Sequence, residues 1–183
     1  TPYAGSTRLL PIASGYATNI YNGSVVAIVA AGTVEIVTDL GNNADAFPAG
    51  VIGVFVGCTY TDPNLGTVVF RNNWPTGTVA DDAQAYIVDD PDVVFMAQAD
   101  GAVTQTDLGQ NTNFAAVQST TTGDTTNGNS NTAVSSTTAV TATIAFRIVD
   151  FVDSPTSTVG DAFTDLLIKF NAGIHSYDNA TGI

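Results

Sequence analysis

Apolar and polar residues alternate with a period of two along most of the chain, which is the pattern of half-buried β-strands. The alternating or β-branched runs are separated by turn residues, among them "NG", "DPNLG" and "DG". These runs cover 24–30, 33–39, 50–61, 66–72, 83–90, 92–99 and 142–152. Short strands at close spacing predict an all-β fold, an antiparallel β-barrel or β-sandwich with long loops and little helix.

One segment, "VGDAFTDLLIKFNAG" (159–173), fits either a helix or a strand. A helix would bury Phe163 and Phe170 on one stripe. A strand would place Leu166, Ile168 and Phe170 on one side of a sheet and turn the residues between them outward. We prefer the strand, because it continues the period of the preceding segments.

The two ends of the pattern suggest the organisation of the chain. Residues 1–20 contain two prolines and show weak periodicity, so we interpret them as an extended N-terminal arm. Residues 21–183 then form a single β-rich domain. Within it, 119–131 is rich in Thr, Ser and Asn and predicts a surface loop, with a strand beginning at about Thr132 or later.

Charge narrows the classes of partner. Seventeen acids face four basic residues, a formal charge of −13, and only 11% of residues are charged. Such a chain repels phosphate, so we expect no binding to nucleic acid or to an anionic membrane surface. No run reaches the roughly 20 apolar residues of a spanning helix, and a start at Thr without an apolar leader suggests synthesis and folding in a host cytoplasm.

Residues capable of catalysis or metal binding occur without a recognisable arrangement. The lone Cys58 lies in an apolar, strand-like segment, so we expect it to be a buried structural thiol. His175 lies near the polar C-terminus, so we expect it to be exposed or at a sheet edge. The aspartates of "VDDPDV" and "GDTTNGNSN" do not match an EF-hand, so we interpret them as solvated turn acids. We therefore expect a protein that is not an enzyme and that uses no cofactor and no metal.

Three large side chains remain as candidates for packing or binding. Trp74, at the end of a strand, could cap the core, anchor a protein interface or stack on a sugar. Arg71 and Arg147 lie in apolar, strand-like segments of a chain with many acids, so each is expected to pair with an aspartate, within the chain or across an interface.

Three stretches of the chain carry a resemblance to a known family: "GVIGVFVGCTYTDPNLGTVVFRNNWPTGT", "AYIVDDPDVVFMAQADG" and "GNSNTAVSSTTAVTATIAFRIVDFVDSP". Over about residues 20–175 the sequence resembles structural head proteins of tailed bacteriophages of the marine podovirus and cyanophage type, above all capsid decoration (cement) proteins. The resemblance implies a small β-barrel or β-sandwich, commonly trimeric, on the outer face of the major capsid shell. It brings no site residues with it.

The leading hypothesis is therefore a non-enzymatic virion structural protein. Its expected partners are the major capsid protein and further copies of itself in a homotrimer. The arm could dock on the shell by strand addition. The residues we assign to the interface are Tyr3, Arg8, Leu9, Leu10, Ile12, Arg71 and Trp74. The alternative is a carbohydrate-binding or host-attachment β-domain, of the adhesin or head-fibre type, that binds sugar with Trp74, Tyr60 and the Asn/Asp-rich loops.

Overall fold

The computed structural model describes residues 6–183 and is all-β, as predicted. Apart from one short 3₁₀ turn at Gln105–Asp107, its regular elements are strands. In chain order they are β1 (Arg8–Pro11), β2 (Ile20–Tyr21), β3 (Val25–Ile28), β4 (Val34–Ile36), β5 (Val51–Thr61), β6 (Val68–Arg71), β7 (Asn73–Trp74), β8 (Gln84–Val88), β9 (Phe95–Gln98), β10 (Asn111–Thr112), β11 (Phe146–Phe151) and β12 (Asp165–Phe170).

The strands form two main antiparallel sheets and one small ribbon. The first sheet has the order β1-β8-β5-β3-β4, and β6 pairs with the remaining part of β5. The second sheet has the order β10-β11-β12-β9, and β2 pairs with β7. Within the described part of the chain, both main sheets end in strands that are paired on one side only. Of the barrel and the sandwich that the sequence allowed, the architecture is therefore an open sandwich.

The long strand β5 is the centre of the first sheet. One edge pairs with β8, and the other pairs first with β3 and then with β6. The register shifts by one residue beside Gly53 and again beside Gly57, which have φ of +144° and +146°. These two bulges let an eleven-residue strand curve and change partners.

Both sides of the first sheet are buried near β5, so the domain has two cores. One core lies between the two main sheets and contains Val54 of β5 together with Phe146, Leu166 and Phe170 of the second sheet. The other core lies on the opposite side, where Phe55 belongs to one cluster with Ile20 of β2 and Trp74 of β7. This two-sided burial explains why β5 has an almost continuous apolar sequence.

The segment at 159–173 contains a strand, as we predicted. β12 buries Leu166, Ile168 and Phe170 in the core between the main sheets and turns the alternate residues away. It pairs with β11 on one side and with β9 on the other. Pairing with two neighbours stabilises the strand over a helix of the same sequence.

The prediction of an extended N-terminal arm over 1–20 is wrong for its later part. Arg8–Pro11 is a strand of the first sheet, paired with β8, and Ile12 is buried. Ile20 and Tyr21 belong to β2 and are buried as well. The folded sheet therefore includes the chain from Arg8 onward, and residues 1–5 lie outside the described part.

The Thr/Ser/Asn-rich loop is anchored at its start and along its length. Gln118 is fully buried; its side chain accepts from the Val25 amide at 2.9 Å and donates to the carbonyls of Val25 and Val37 at 3.0 and 2.9 Å. The Tyr21 hydroxyl donates to the Thr120 carbonyl at 2.7 Å. The strand expected from Thr132 does not form: Val134 makes isolated bridges, and β11 begins at Phe146.

Replacing Gly53 should destabilise the domain strongly. In Gly53→Ala the new Cβ would lie 2.0 Å from the Val88 carbonyl oxygen, on backbone that only glycine adopts easily. We expect the free energy of unfolding to fall by about 3 kcal/mol or more, as backbone strain and overpacking each cost roughly 1–3 kcal/mol. Urea unfolding measures this. Gly15→Ala, which has φ of +76° and open space around it, is the control and should lose less.

Removing the Gln118 side chain should detach the loop from the first sheet. Gln118→Ala leaves the Val25 amide without its side-chain partner in a buried place, at a cost of roughly 1–3 kcal/mol for the unsatisfied group, plus the lost packing. The matched control is Gln105→Ala, an exposed glutamine expected to change stability by less than about 0.5 kcal/mol. Equal unfolding midpoints for the two variants would contradict the anchoring role.

Candidate functional site

An uncovered apolar surface lies on the first sheet, beyond the part that the second sheet covers. It consists of Leu9 on β1, Tyr86 on β8, and Val68 and Phe70 on β6; we call it the β1–β6 face. Leu9 stands directly opposite Tyr86, and Tyr86 stands opposite Gly57 of β5. Leu9 is 51% exposed, Phe70 59% and Val68 70%. Monomeric proteins rarely leave neighbouring apolar residues open in this way, so the face is the candidate binding site.

Gly57 shapes the centre of this face. The Phe70 ring occupies the place where a side chain of residue 57 would stand, since a Cβ there would lie 2.6 Å from the ring. Phe70 also meets Tyr86 edge to face, with 5.8 Å between ring centroids. The Phe70 ring thus packs over Gly57 and against Tyr86, which places its exposed part at the centre of the face.

The β1–β6 face continues to a free backbone edge at β1. The amide of Ile12 donates to the carbonyl of Ala83, so in the antiparallel alternation Leu10 and Arg8 also bond toward β8. Leu9 and Pro11 therefore point their backbone groups away from the sheet. Pro11 loses nothing there, because its missing N–H would face outward. Within residues 6–183, no backbone partner reaches the Leu9 N–H and C=O, which could accept an added strand.

Two of the arginines pair differently from each other. The Arg71 guanidinium lies 3.7 Å from the Asp62 carboxylate, as the sequence predicted. Arg147 instead donates to the side-chain carbonyls of Asn111 and Asn171, at 3.1 Å each. The predicted Arg147–Asp pair does not form within the described chain, because β10 and the residue after β12 bring amides rather than carboxylates beside it.

A cluster at the start of β1 fastens the C-terminal segment to the sheet. Arg8 donates to the Tyr177 hydroxyl and lies 3.7 Å from Asp89, while Tyr177 donates to Asp89 at 2.7 Å.

His175 is fully buried, contrary to the exposed position expected. Its Nε2 lies 2.8 Å from the Ile52 carbonyl, and its Nδ1 accepts from the Tyr177 amide at 3.2 Å. The imidazole is therefore neutral, with its proton on Nε2.

The predicted interface residues differ in exposure. Arg8 and Leu9 are exposed at the β1–β6 face and its edge. Leu10 packs partly against the second core, whereas Ile12 and Trp74 are buried in it, so the assignment of these two to an interface is wrong. Arg71 is half-exposed beside Asp62. Tyr3 lies outside the described residues.

Sequence reasoning missed Val68, Phe70 and Tyr86. The alternation in "TVVFRN" separates Val68 and Phe70 from Val69 and Arg71, which was visible in the sequence. It does not say which pair faces the core. In the structure, Val69 of the second pair packs on the second core, and Arg71 pairs with Asp62.

The residues considered for chemistry are buried. Trp74 and Tyr60 pack edge to face within the second core, so neither ring offers a platform to a sugar. The Trp74 indole N–H donates to the Tyr16 carbonyl at 3.2 Å. Cys58 is buried in the same core, and burial raises the pKa of its thiol to about 12, which keeps it protonated.

The acids lie mostly in turns, where they accept backbone hydrogen bonds. Asp90 accepts from the Asp92 amide, and Asp124 from the Thr126 amide, at 2.9 and 2.8 Å. Asp62 accepts from the amides of Asn64 and Leu65. Within residues 6–183, no three His, Cys, Asp or Glu side chains come together as metal ligands would.

Comparison of the chain with protein-family models, curated proteins and solved structures gave no match. Of the residues described, none belong to a helix long and apolar enough to cross a membrane. The choice of the β1–β6 face as the candidate site therefore rests on its exposure and geometry alone.

The buried His175 should make stability depend on pH. Burial lowers the pKa of its imidazole, so the unfolded chain takes up this proton near pH 6.5 and the folded chain only at lower pH. The unfolded state then binds more protons below about pH 6.5, and stability should fall as the pH drops through that value. Urea unfolding at pH 7.5 and 5.5 measures the loss.

The control for this effect is His175→Gln, which keeps a donor for the Ile52 carbonyl but cannot titrate. Its stability should change less between the two pH values than that of the wild type. Carboxylates that titrate in both proteins cancel in the comparison. An equal pH dependence in the two proteins would show that the loss comes from other groups.

Proposed function

We propose that this protein is a non-enzymatic structural protein of a virion that binds the outer face of a major capsid shell and stabilises it. The observation that carries the proposal is the β1–β6 face, an exposed apolar surface beside a strand edge that has no partner within residues 6–183. The sequence resemblance to phage decoration proteins supplies the partner. The face itself supplies a means of attachment that needs no chemical reaction.

The size of the face indicates how binding would work. Complete burial of one large apolar side chain contributes roughly 1.5–3 kcal/mol, and the side chains here are already about half covered. The three most exposed residues of the face, Leu9, Val68 and Phe70, would therefore contribute only a few kcal/mol together. Association costs an estimated 4–15 kcal/mol in lost freedom. A single face is too weak to hold one copy on the shell.

Several linked copies would bind the shell more tightly than one copy can, and we propose a homotrimer for that reason. Once one subunit is bound, the others bind at a high effective concentration, so overall affinity rises without new contacts. Strand addition at the open Leu9 edge would bring further hydrogen bonds. Binding to the assembled shell alone would then stabilise that shell by mass action.

The sharpest test removes apolar character from the face without touching the core. Val68→Ser is expected to fold as the wild type does and to bind phage heads lacking this protein at least about tenfold more weakly; because three copies multiply a loss of about 0.5 kcal/mol each, this needs only a small effect per site. Co-sedimentation with the heads measures binding. The control is Val140→Ser, at a valine that is 86% exposed and lies far along the chain in a loop.

Three outcomes would contradict the proposal. They are equal binding by Val68→Ser and Val140→Ser, the absence of wild-type binding to the heads, and a location away from the outer shell in electron cryomicroscopy of the virion. Sedimentation equilibrium tests the trimer separately: it should give three times the 18.8 kDa chain mass. A monomer at all concentrations would overturn the avidity argument but not the face.

A further inference from the structure

A second open strand edge borders a groove on the opposite part of the molecule. The groove lies between β9 and the segment 130–134 and has a volume of about 490 Å³. Its floor is apolar and consists of Val25, Val54, Phe95, Phe114, Phe146 and Phe170. The side chains around it include Gln98 and Asn131, and its lining contains no charged residue.

The hydrogen-bonding direction of β9 leaves this edge free. The amide of Ala99 donates to the Thr164 carbonyl, so by the antiparallel alternation Ala97 and Phe95 also bond toward β12. Met96 and Gln98 then point away from β12. The Gln98 carbonyl accepts from the Val134 amide at 2.9 Å. Within residues 6–183, no backbone partner reaches the Met96 N–H and C=O or the Gln98 N–H.

The far wall is held away from β9 by bonds of its own. The amide of Ser130 donates to the Asn22 carbonyl at 2.8 Å, and that of Asn131 to the Thr122 carbonyl at 2.9 Å. The Ala133 carbonyl accepts from the Ala115 amide at 3.0 Å. Only at Val134 does the segment join β9, as an isolated parallel bridge to Ala99. The wall therefore does not close over the edge, and the groove is part of the folded structure.

The outer side of the edge is exposed too. Met96 is 69% exposed and points away from the core, opposite Leu167 of β12. Its side chain therefore adds little to the packing of the second sheet, whereas its backbone is the centre of the open edge. An added strand would bond to residue 96 and would turn every second side chain toward Phe95 and the floor.

The charges around the groove indicate the composition of the occupant. Asp100 and Asp165 lie at the end of β9, where Asp100 accepts from the Ser136 amide and Asp165 from the Gln98 side chain. Both keep their negative charge free of a described salt bridge. The chain as a whole has a charge of −13. A segment that carries Lys or Arg beside its apolar residues would complement this edge.

We propose that the β9 groove binds a short extended segment of a partner protein, which adds as a strand at Met96, places an apolar side chain on the phenylalanine floor and carries a basic residue at the end beside Asp100 and Asp165. This site is separate from the β1–β6 face and does not depend on the capsid proposal. It gives the protein a second, peptide-binding activity with its own specificity.

The probe is an array of acetylated pentapeptide amides with Lys at both ends and Val, Leu, Ile, Phe or Thr at the three central positions. The wild-type chain is expected to bind a subset with an apolar residue at alternate positions. In ¹⁵N NMR the amides of Met96 and Gln98 should shift on addition of the best peptide. The same peptide with Glu ends, or with a methylated central amide, should bind at least about tenfold more weakly.

Met96→Pro tests the edge in the protein itself. The Met96 N–H makes no bond within its own sheet, so proline should leave the fold intact while it removes a donor and obstructs the added strand. Peptide binding should fall at least about tenfold. Val140→Pro, at an exposed loop position, is the control for a surface proline and should bind as the wild type does.

The remaining outcomes overturn the proposal in distinct ways. If no peptide binds, or if the Met96 and Gln98 amides do not move, the edge is not a binding site; this reading holds even if Met96→Pro fails to fold. If the methylated peptide binds equally, the floor alone is occupied. If the wild type instead self-associates through β9 and Met96→Pro is monomeric, the occupant is a second copy. None of these results depends on binding to phage heads.

Discussion

The burial of β5 on both sides is the constraint on which the rest of the structure depends. A strand covered on both faces must fit two cores at once, and here the two glycine bulges make that possible. At Gly53 the Val88 carbonyl approaches to where a Cβ would stand, and at Gly57 the Phe70 ring does so. The strand can then change its partner from β3 to β6 along one edge.

The two candidate binding surfaces follow from this arrangement. Because β5 extends beyond the part of the first sheet that the second sheet covers, β6 and β1 carry apolar residues that the described part of the chain leaves largely exposed. Because β9 ends the second sheet, its outer backbone groups stay open beside the loop that Gln118 anchors. Both surfaces are thus places where a layered β-fold stops before all of its apolar area and hydrogen-bonding groups are satisfied.

Much of the fold was predictable, since each of the seven runs read as strands contains one, and the ambiguous run at 159–173 contains β12. The candidate site was less predictable. Leu9 and Arg8 were chosen because they lay in a presumed arm, and they reach the surface instead through an edge strand. Ile12 and Trp74 were misassigned, because an apolar residue near a proline or turn has the same sequence signature whether a core or a partner covers it.

The sequence by itself determined the fold class and the longer strands, because side-chain alternation and turn residues are local properties that a two-residue period records. Only the tertiary structure decided which side of each strand is covered. That choice depends on how far the second sheet extends over the first, on the Gln118 anchor and on the buried His175, which are contacts between residues about 80 to 120 positions apart. No local pattern contains them, so the open surfaces became visible only once the layers were in place.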